Sequence, residues 1–316
     1  MRSGAAAGLH GYFHEALCFD SDEDLLAKAV PFLTGGVAAG EPTVVALAEH
    51  HEDVIRAALP DLDVTYISEG AVYSRPAATI RSYRKMLAGH VAGGAAQIRI
   101  LGELTPVTLG VTWDWWARYE SAINHAYDDF PLWSMCAYDT RTTPTAAMAD
   151  VLRTHPRTAQ PGDRHDPSDT FADPILFLSE PRHPALDPLE HTAPLADLVD
   201  PALSDARRAV RDADRGHLPP DEVDDFIVAV SEAVANAHKH GRGPVRMRLW
   251  TGPDRIVVSV TDAGAGPKDP FTGLMPTGDG ANGGLGLWIA HQSCNHVTLD
   301  RHADGFTIRL TAGTPR

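Results

Sequence analysis

Glu232 and Asn236 lie four residues apart in the stretch Ser231-Glu-Ala-Val-Ala-Asn-Ala-His-Lys-His-Gly241. Around them the apolar residues Val223, Phe226, Ile227, Val230, Val234 and Ala237 recur at helical spacing. That spacing predicts one helix from about Pro220 to His240, with the carboxylate and the amide on the face opposite the apolar stripe. Ala229, Ala233 and Ala235 surround the pair, so the helix is nearly apolar all round and is expected to be covered on both sides. A carboxylate and an amide held there need partners, and a bound metal or a polar ligand would supply them. Taken alone, the segment equally fits a polar stripe on an Ala-biased helix.

Two later stretches bear on the same chemistry. Asp262-Ala-Gly-Ala-Gly266 closes a predicted strand, where a carboxylate can accept a hydrogen bond from an amino group such as that of adenine while two glycines let backbone approach a ligand. On its own this pattern is also that of a simple loop. Residues 267 to 283 are polar, rich in Gly and Pro and aperiodic, as a mobile lid would be. Gly283-Gly-Leu-Gly-Leu-Trp-Ile-Ala290 then opens a helix whose glycines bring amide N–H groups to its N-terminus, a place that favours phosphate.

The elements that must position these residues are two helices, about 202–213 and 220–240, and two hairpins. Val245–Trp250 and Arg255–Thr261 flank Gly252-Pro253, and Thr298-Leu299 and Phe306–Leu310 flank Ala303-Asp-Gly305. The first half of the chain alternates strands and helices instead. Strands are predicted at Glu15–Phe19, Thr43–Leu47, Val64–Ile67, Gln97–Leu101 and Leu132–Tyr138. Helices are predicted after Ser21-Asp-Glu-Asp24, at 49–59, from Pro76 and at 114–128. Such alternation implies a largely parallel sheet with helices on both faces. Gly35-Gly36 and Gly93-Gly94 lack the Lys and hydroxyl residue of a phosphate loop and read as helix ends. Trp113, Trp115, Trp116 and Tyr119 read as core packing in preference to a pocket wall.

The chain has 316 residues and a net charge of −15, which excludes most phosphate-backbone binders; DNA and RNA are not expected partners. Cys18, Cys136 and Cys294 are odd in number, far apart and without CxxC spacing, so a reducing, cytoplasmic setting is expected. No apolar run approaches the roughly 20 residues of a membrane span. His14, Cys18, Cys136 and His155 are zinc-donor types, but no pair has the short spacing of a structural site, and buried cysteines acting as small hydrophobes are the simpler reading. Arg153 to Pro201 is rich in Pro, Asp and His and reads as an irregular connection with one apolar anchor, Ile175–Leu178, and solvated histidines.

The order ExxxN on a helix, DxGxG after a strand and GGLGL opening a later helix resembles the N, G1 and G2 boxes of the GHKL ATPase superfamily. The resemblance extends to the anti-sigma-factor serine kinases, which share the style of Leu287-Trp-Ile-Ala-His-Gln-Ser-Cys-Asn295. It implies helices on one face of a mixed β-sheet, with ATP between helices and lid. By position it implies Asn236 as a Mg2+ ligand, Glu232 as the general base for transfer to a Ser or Thr hydroxyl, and Asp262 as the adenine reader. Gly264 and Gly266 would form the pocket floor, and Gly284 and Gly286 the phosphate cradle. His238, Lys239 and His240 read as solvated helix-end residues. The implied partners are a sigma factor or an anti-sigma antagonist protein, and the implied assembly is a homodimer.

The first half resembles the MEDS sensory domain of bacterial regulators. The matching pieces are His14-Glu-Ala-Leu-Cys-Phe-Asp-Ser-Asp-Glu-Asp-Leu-Leu26, Gly40-Glu41, Gly102-Glu103, Trp116-Ala-Arg-Tyr-Glu120 with Asn124, Cys136-Ala-Tyr-Asp139 and Thr154-His-Pro156. This implies a RecA-like α/β core without its phosphate loop that senses a small ligand. The expected layout is a sensory domain at 10–160, a Pro-rich linker at 161–195 and the ATP-binding domain at 196–316. The stretch from Thr154 to Pro201 holds His155, His165, His183 and His191 but is punctuated by Pro, so the long amphipathic helices of a histidine kinase's phosphoacceptor segment are not expected. The expectation is a signalling regulator of transcription in which the sensory domain controls an ATP- and Mg2+-binding anti-sigma-type module that phosphorylates a Ser or Thr of an anti-sigma antagonist, sequesters a sigma factor, or does both. The alternatives are a non-catalytic ATP-dependent binding module, or a histidine-kinase-like ATPase without its own phosphoacceptor.

Overall fold

The structure is a computed structural model and describes residues 1–68, 75–104, 108–275 and 285–316. It divides into two compact units, Met1–Ser74 with Thr79–Leu178, and Ser179–Arg316 with Arg75–Ala78.

The first unit holds a seven-stranded sheet. Its strands are β1 (Phe13–Phe19), β2 (Thr43–Ala46), β3 (Thr65–Tyr66), β4 (Ile98–Glu103), β5 (Leu132–Asp139), β6 (Arg157–Gln160) and β7 (Arg164–Pro167), in the order β3-β2-β4-β5-β1-β6-β7. Every pairing is parallel except β6 with β7. The central strands β2 and β4 are buried along their whole length, as a parallel sheet covered on both faces requires. The connecting helices are α1 (Asp22–Ala38), α2 (Glu49–Ala58), α3 (Pro76–Ala92), α4 (Trp113–Ala126) and α5 (Thr145–Thr154), and α6 (Pro174–Ser179) follows β7. Ser21 caps α1 by accepting a hydrogen bond from Asp24 N–H at 3.2 Å. Trp113, Trp115, Trp116 and Tyr119 are all buried, as core packing predicts.

Three local readings differ from the sequence expectation. Gly35 and Gly36 lie inside the last turns of α1 and do not end it. A Cβ on Gly36 would lie 2.8 Å from Arg99 Cδ, so the pair makes room for a buried arginine that bonds Glu41 Oε2 at 2.7 Å and stacks over Trp133. The stretch after Arg153 is irregular only in part. Pro161-Gly162 turns a hairpin, β6–β7, with Gly162 at φ +78°, and the hairpin's alternating polar residues hid it at a sheet edge. Nor is its histidine solvated: His165 Nδ1 lies 2.6 Å from the fully buried Glu15 carboxylate, whose other oxygen accepts from the Trp133 indole N–H.

The second unit is a five-stranded sheet, β11-β12-β10-β9-β8, with helices α7 (Leu203–Ala213), α8 (Pro220–His240) and α9 (Leu285–Ser293). Its strands are β8 (Ala196–Val199), β9 (Arg246–Thr251), β10 (Arg255–Asp262), β11 (His296–His302) and β12 (Gly305–Gly313). The helix-and-sheet layering matches the expected sandwich, but the described pairings are all antiparallel, not mixed, because β9–β10 and β11–β12 are hairpins and β8 adds antiparallel at the edge. α8 packs on β10 and β12 and between α7 and α9. Its predicted stripe, from Val223 to Ala237, is buried throughout.

A short 3-10 turn, Pro188–His191, precedes β8 and docks on this sheet. Asp187 caps it and receives a two-pronged bond from Arg255, at 2.9 and 2.8 Å, with both residues buried. Glu190 pairs with Arg309 at 2.5 Å. These buried ion pairs seat a stretch that composition alone presents as a linker.

Candidate functional site

α8 brings Glu232 and Asn236 to one half-buried face, flanked by buried Ala233 and Ala237. The start of α9 lies directly over them. A Cβ on Gly286 would stand 2.7 Å from Glu232 Oε2 and 2.8 Å from Asn236 Nδ2, so the backbone there approaches both polar groups as closely as glycine allows. Gly284 lies outside the described residues, as does the end of the predicted lid from residue 276 to 283.

At the end of β10, Asp262 is buried and its Oδ1 accepts from Gly264 N–H at 2.6 Å and Arg242 N–H at 3.1 Å. Gly241 and Gly264 pack on that carboxylate, where a Cβ would collide with it at 2.4 and 2.6 Å. Gly266 has φ +74° and lies against the Phe306 ring. The DxGxG spacing thus ties the carboxylate to the loop backbone on one side.

Asn236, Asp262, Gly266 and Leu287 line one cavity of about 440 Å3, within the size range of small-molecule sites. Glu232 sits beside it and is not among its lining residues. His240, read from the sequence as a solvated helix-end residue, instead lines it at the end of α8, and so do three residues that the sequence reading did not single out, Lys268, Asp269 and Thr272 in the first part of the predicted lid. Their only signal was membership of that polar, Gly-rich stretch. Of the other helix-end residues, Lys239 is exposed, and His238 is tied at 3.0 Å to the Pro201 carbonyl.

A second constellation lies in the first unit, and the sequence reading assembled it only in part. His14 on β1, Glu120 on α4, Cys136 on β5 and His155 just past α5 converge, with one donor atom from each within 4.8 Å of the others. Glu120 takes the place considered for Cys18, whose thiol instead faces Met148 Sδ at 3.7 Å. Spacing could not reveal the group, because each member comes from a different element. Burial pushes the Glu120 carboxyl up to about 8 and the His155 imidazole down to about 4. It also holds His14 well below and Cys136 well above their usual values.

Residues 13–156 match the family described as MEDS, the MEthanogen/methylotroph, DcmR Sensory domain. Residues 196–312 match the histidine kinase-like ATPase domain. The chain is similar to the serine-protein kinase RsbW of Bacillus subtilis, 31% identical over 104 residues that make up 29% of this chain and 64% of the relative. It is similar to RsbW of Bacillus velezensis at 29% identity with the same coverage. The match therefore spans slightly under two thirds of the length of these relatives. A crystal structure of the RsbU and RsbW domains of a Mycobacterium tuberculosis protein aligns at 22% identity over 39% of this chain and 34% of that one, with a TM-score of 0.28, too low to bear on the fold. The chain joins a MEDS domain, residues 13–156, to a histidine kinase-like ATPase domain similar to that of the RsbW serine-protein kinases, residues 196–312.

Proposed function

We propose that the second unit binds ATP with Mg2+ in the cavity beside α8 and transfers the γ-phosphate to a Ser or Thr of an anti-sigma antagonist protein, or sequesters a sigma factor, under control of the MEDS unit. The observation that carries this reading is the convergence of Asp262, Asn236 and the N-terminal turn of α9 on one cavity. Asp262 Oδ1 is held by two backbone amides, which leaves Oδ2 to accept from the adenine amino group. Asn236 lines the cavity and fits a Mg2+ site because an amide oxygen is a hard donor. When bound, Mg2+ would neutralise charge on the phosphates. Glu232, beside the cavity, would take the proton of an attacking hydroxyl. The amide of Gly286 in the first turn of α9 would hold the phosphates, and the sequence motif assigns the same role to Gly284.

The position of Glu232 behind the wall also favours a second reading, an ATP-dependent binding module without transfer. Affinity capture of tagged full-length protein from native lysate, with and without Mg-ATP, followed by phosphosite mapping, separates the two. A sigma factor or a Ser-phosphorylated antagonist is the expected catch. Phosphate transfer undiminished in Glu232→Ala would remove the assigned base, and unchanged ATP affinity with no transfer to any captured partner would leave binding alone. No helix among the described residues is long and apolar enough to cross a membrane.

A further inference from the structure

We propose that His14, Glu120, Cys136 and His155 bind one zinc ion in the interior of the MEDS unit. Three of the separations between donor atoms match those of a tetrahedral site, and all four atoms lie within 4.8 Å of one another. With Zn–N and Zn–S bonds of about 2.0–2.3 Å, donor atoms at tetrahedral corners stand about 3.3–3.7 Å apart. His14 Nε2 lies 3.4 Å from Cys136 Sγ and 3.6 Å from Glu120 Oε2, and His155 Nε2 lies 3.5 Å from the same oxygen.

The hydrogen bonds around the group aim lone pairs inward. The Asn124 side-chain N–H donates to the carbonyls of Glu120, Ser121 and Thr154, which fixes its oxygen as an acceptor, so His14 Nδ1 carries the proton in their 3.0 Å bond. His155 Nδ1–H donates to the Val151 carbonyl at 2.8 Å. Both rings therefore turn an unprotonated Nε2 to the centre, the tautomer and outer hydrogen bonding of a metal-bound histidine. His155 Nε2 and Glu120 Oε2 are fully shielded from solvent and have no hydrogen-bond partner, an arrangement that costs free energy until something positive sits between them.

Charge and donor type select the ion. One thiolate and one carboxylate neutralise a dication exactly once, and two neutral imidazoles complete the set, so the loaded site buries no net charge. Binding releases the thiol and carboxyl protons as the Zn–S and Zn–O bonds form. The N2SO set with a soft thiolate suits zinc and disfavours Mg2+ and Ca2+, which take oxygen donors.

The test uses tag-free full-length protein stripped with chelator and reloaded with one equivalent of Co2+. The expected spectrum has the thiolate-to-cobalt charge-transfer band in the near ultraviolet and the strong visible bands of tetrahedral cobalt, both abolished by one equivalent of Zn2+. The charge-transfer band should persist in a Cys18→Ala/Cys294→Ala chain, where Cys136 is the sole thiol, and vanish in Cys136→Ser. Asn124→Ala, which frees the His14 ring, should weaken zinc binding by about 10- to 100-fold. Folded wild-type protein that shows no such bands, or a charge-transfer band that survives in Cys136→Ser, overturns the assignment. Because the double-cysteine chain leaves all four proposed ligands in place, the test stands even where ligand variants misfold.

Discussion

Gly286 stands so close to Glu232 that a single added methyl would lie 2.7 Å from its Oε2 and 3.2 Å from its Cβ. The Glu232 carboxylate and the Asn236 amide, which the methyl would meet at 2.8 Å, are the groups free to turn, so Gly286→Ala is expected to displace both while leaving α9 intact, alanine being the better helix former by about 1 kcal/mol. The expected outcome is an unchanged melting temperature with phosphate transfer reduced at least about tenfold, roughly 1.4 kcal/mol of barrier. Transfer at the wild-type rate would detach Glu232 from the reaction.

Asp262→Asn separates the two sides of that carboxyl group. An asparagine oxygen can still accept from Gly264 and Arg242 N–H, which keeps the loop closed, while its NH2 turns a donor toward the cavity. ATP affinity should fall about 10- to 100-fold, the worth of a hydrogen bond to a charged group. Inosine triphosphate, which offers an acceptor at the same ring position, should bind the variant better than it binds wild type. Equal losses for both nucleotides in a titration would mean that Asp262 serves only the loop.

The fold classes were legible because two different periodicities divide the chain: alternation of short β-rich runs with longer helical ones in the first half, and hairpins flanked by amphipathic helices in the second. The candidate nucleotide site could be assembled from the sequence because its parts are local motifs. Glu232 and Asn236 share one helix face, and DxGxG is one turn. The metal constellation was not, although Glu120 and Asn124 repeat the same four-residue step on α4. Its other members arrive from β1, β5 and the end of α5, and only the parallel register that sets Ala16 opposite Cys136 and His14 opposite Ser134 brings them onto one face. β8 and the β6–β7 hairpin were missed for a different reason, since edge strands with half-exposed polar residues carry little apolar alternation.

Asp187→Ala tests whether the segment before β8 is part of the ATPase unit. The substitution leaves buried Arg255 with Asp254 alone, at 3.0 Å, and removes the cap of the 3-10 turn. Breaking a buried pair from one side costs about 3–5 kcal/mol, and the surviving Asp254 contact puts the expected loss near about 3 kcal/mol in urea unfolding followed by tryptophan fluorescence. A loss below about 1 kcal/mol would make the docked turn an ornament on the sheet.

In the first unit, His51 hydrogen-bonds the Glu103 carboxylate at 2.9 Å, and that bond, helped by the charges of Glu103, Asp139 and Asp22 and opposed by burial, raises the imidazole above its usual value. A raised folded-state value stabilises the protein fully below about pH 6.5, the unfolded value, and the contribution fades as pH climbs through the folded one. Denaturation midpoints should therefore decline across neutral pH in wild type. Glu103→Gln should flatten that decline, and parallel curves for the two proteins would assign the slope elsewhere.

β10 carries Arg255 at its first position and Asp262 at its last. Eight extended residues paired on both sides behave as a stiff rod about 23 Å long. The turn held at one end belongs to the stretch of chain that enters the ATPase unit, and the carboxylate at the other faces the cavity. Any shift of the docked turn at Asp187 would therefore bear on the same paired strand whose far end sets Asp262 in the cavity wall.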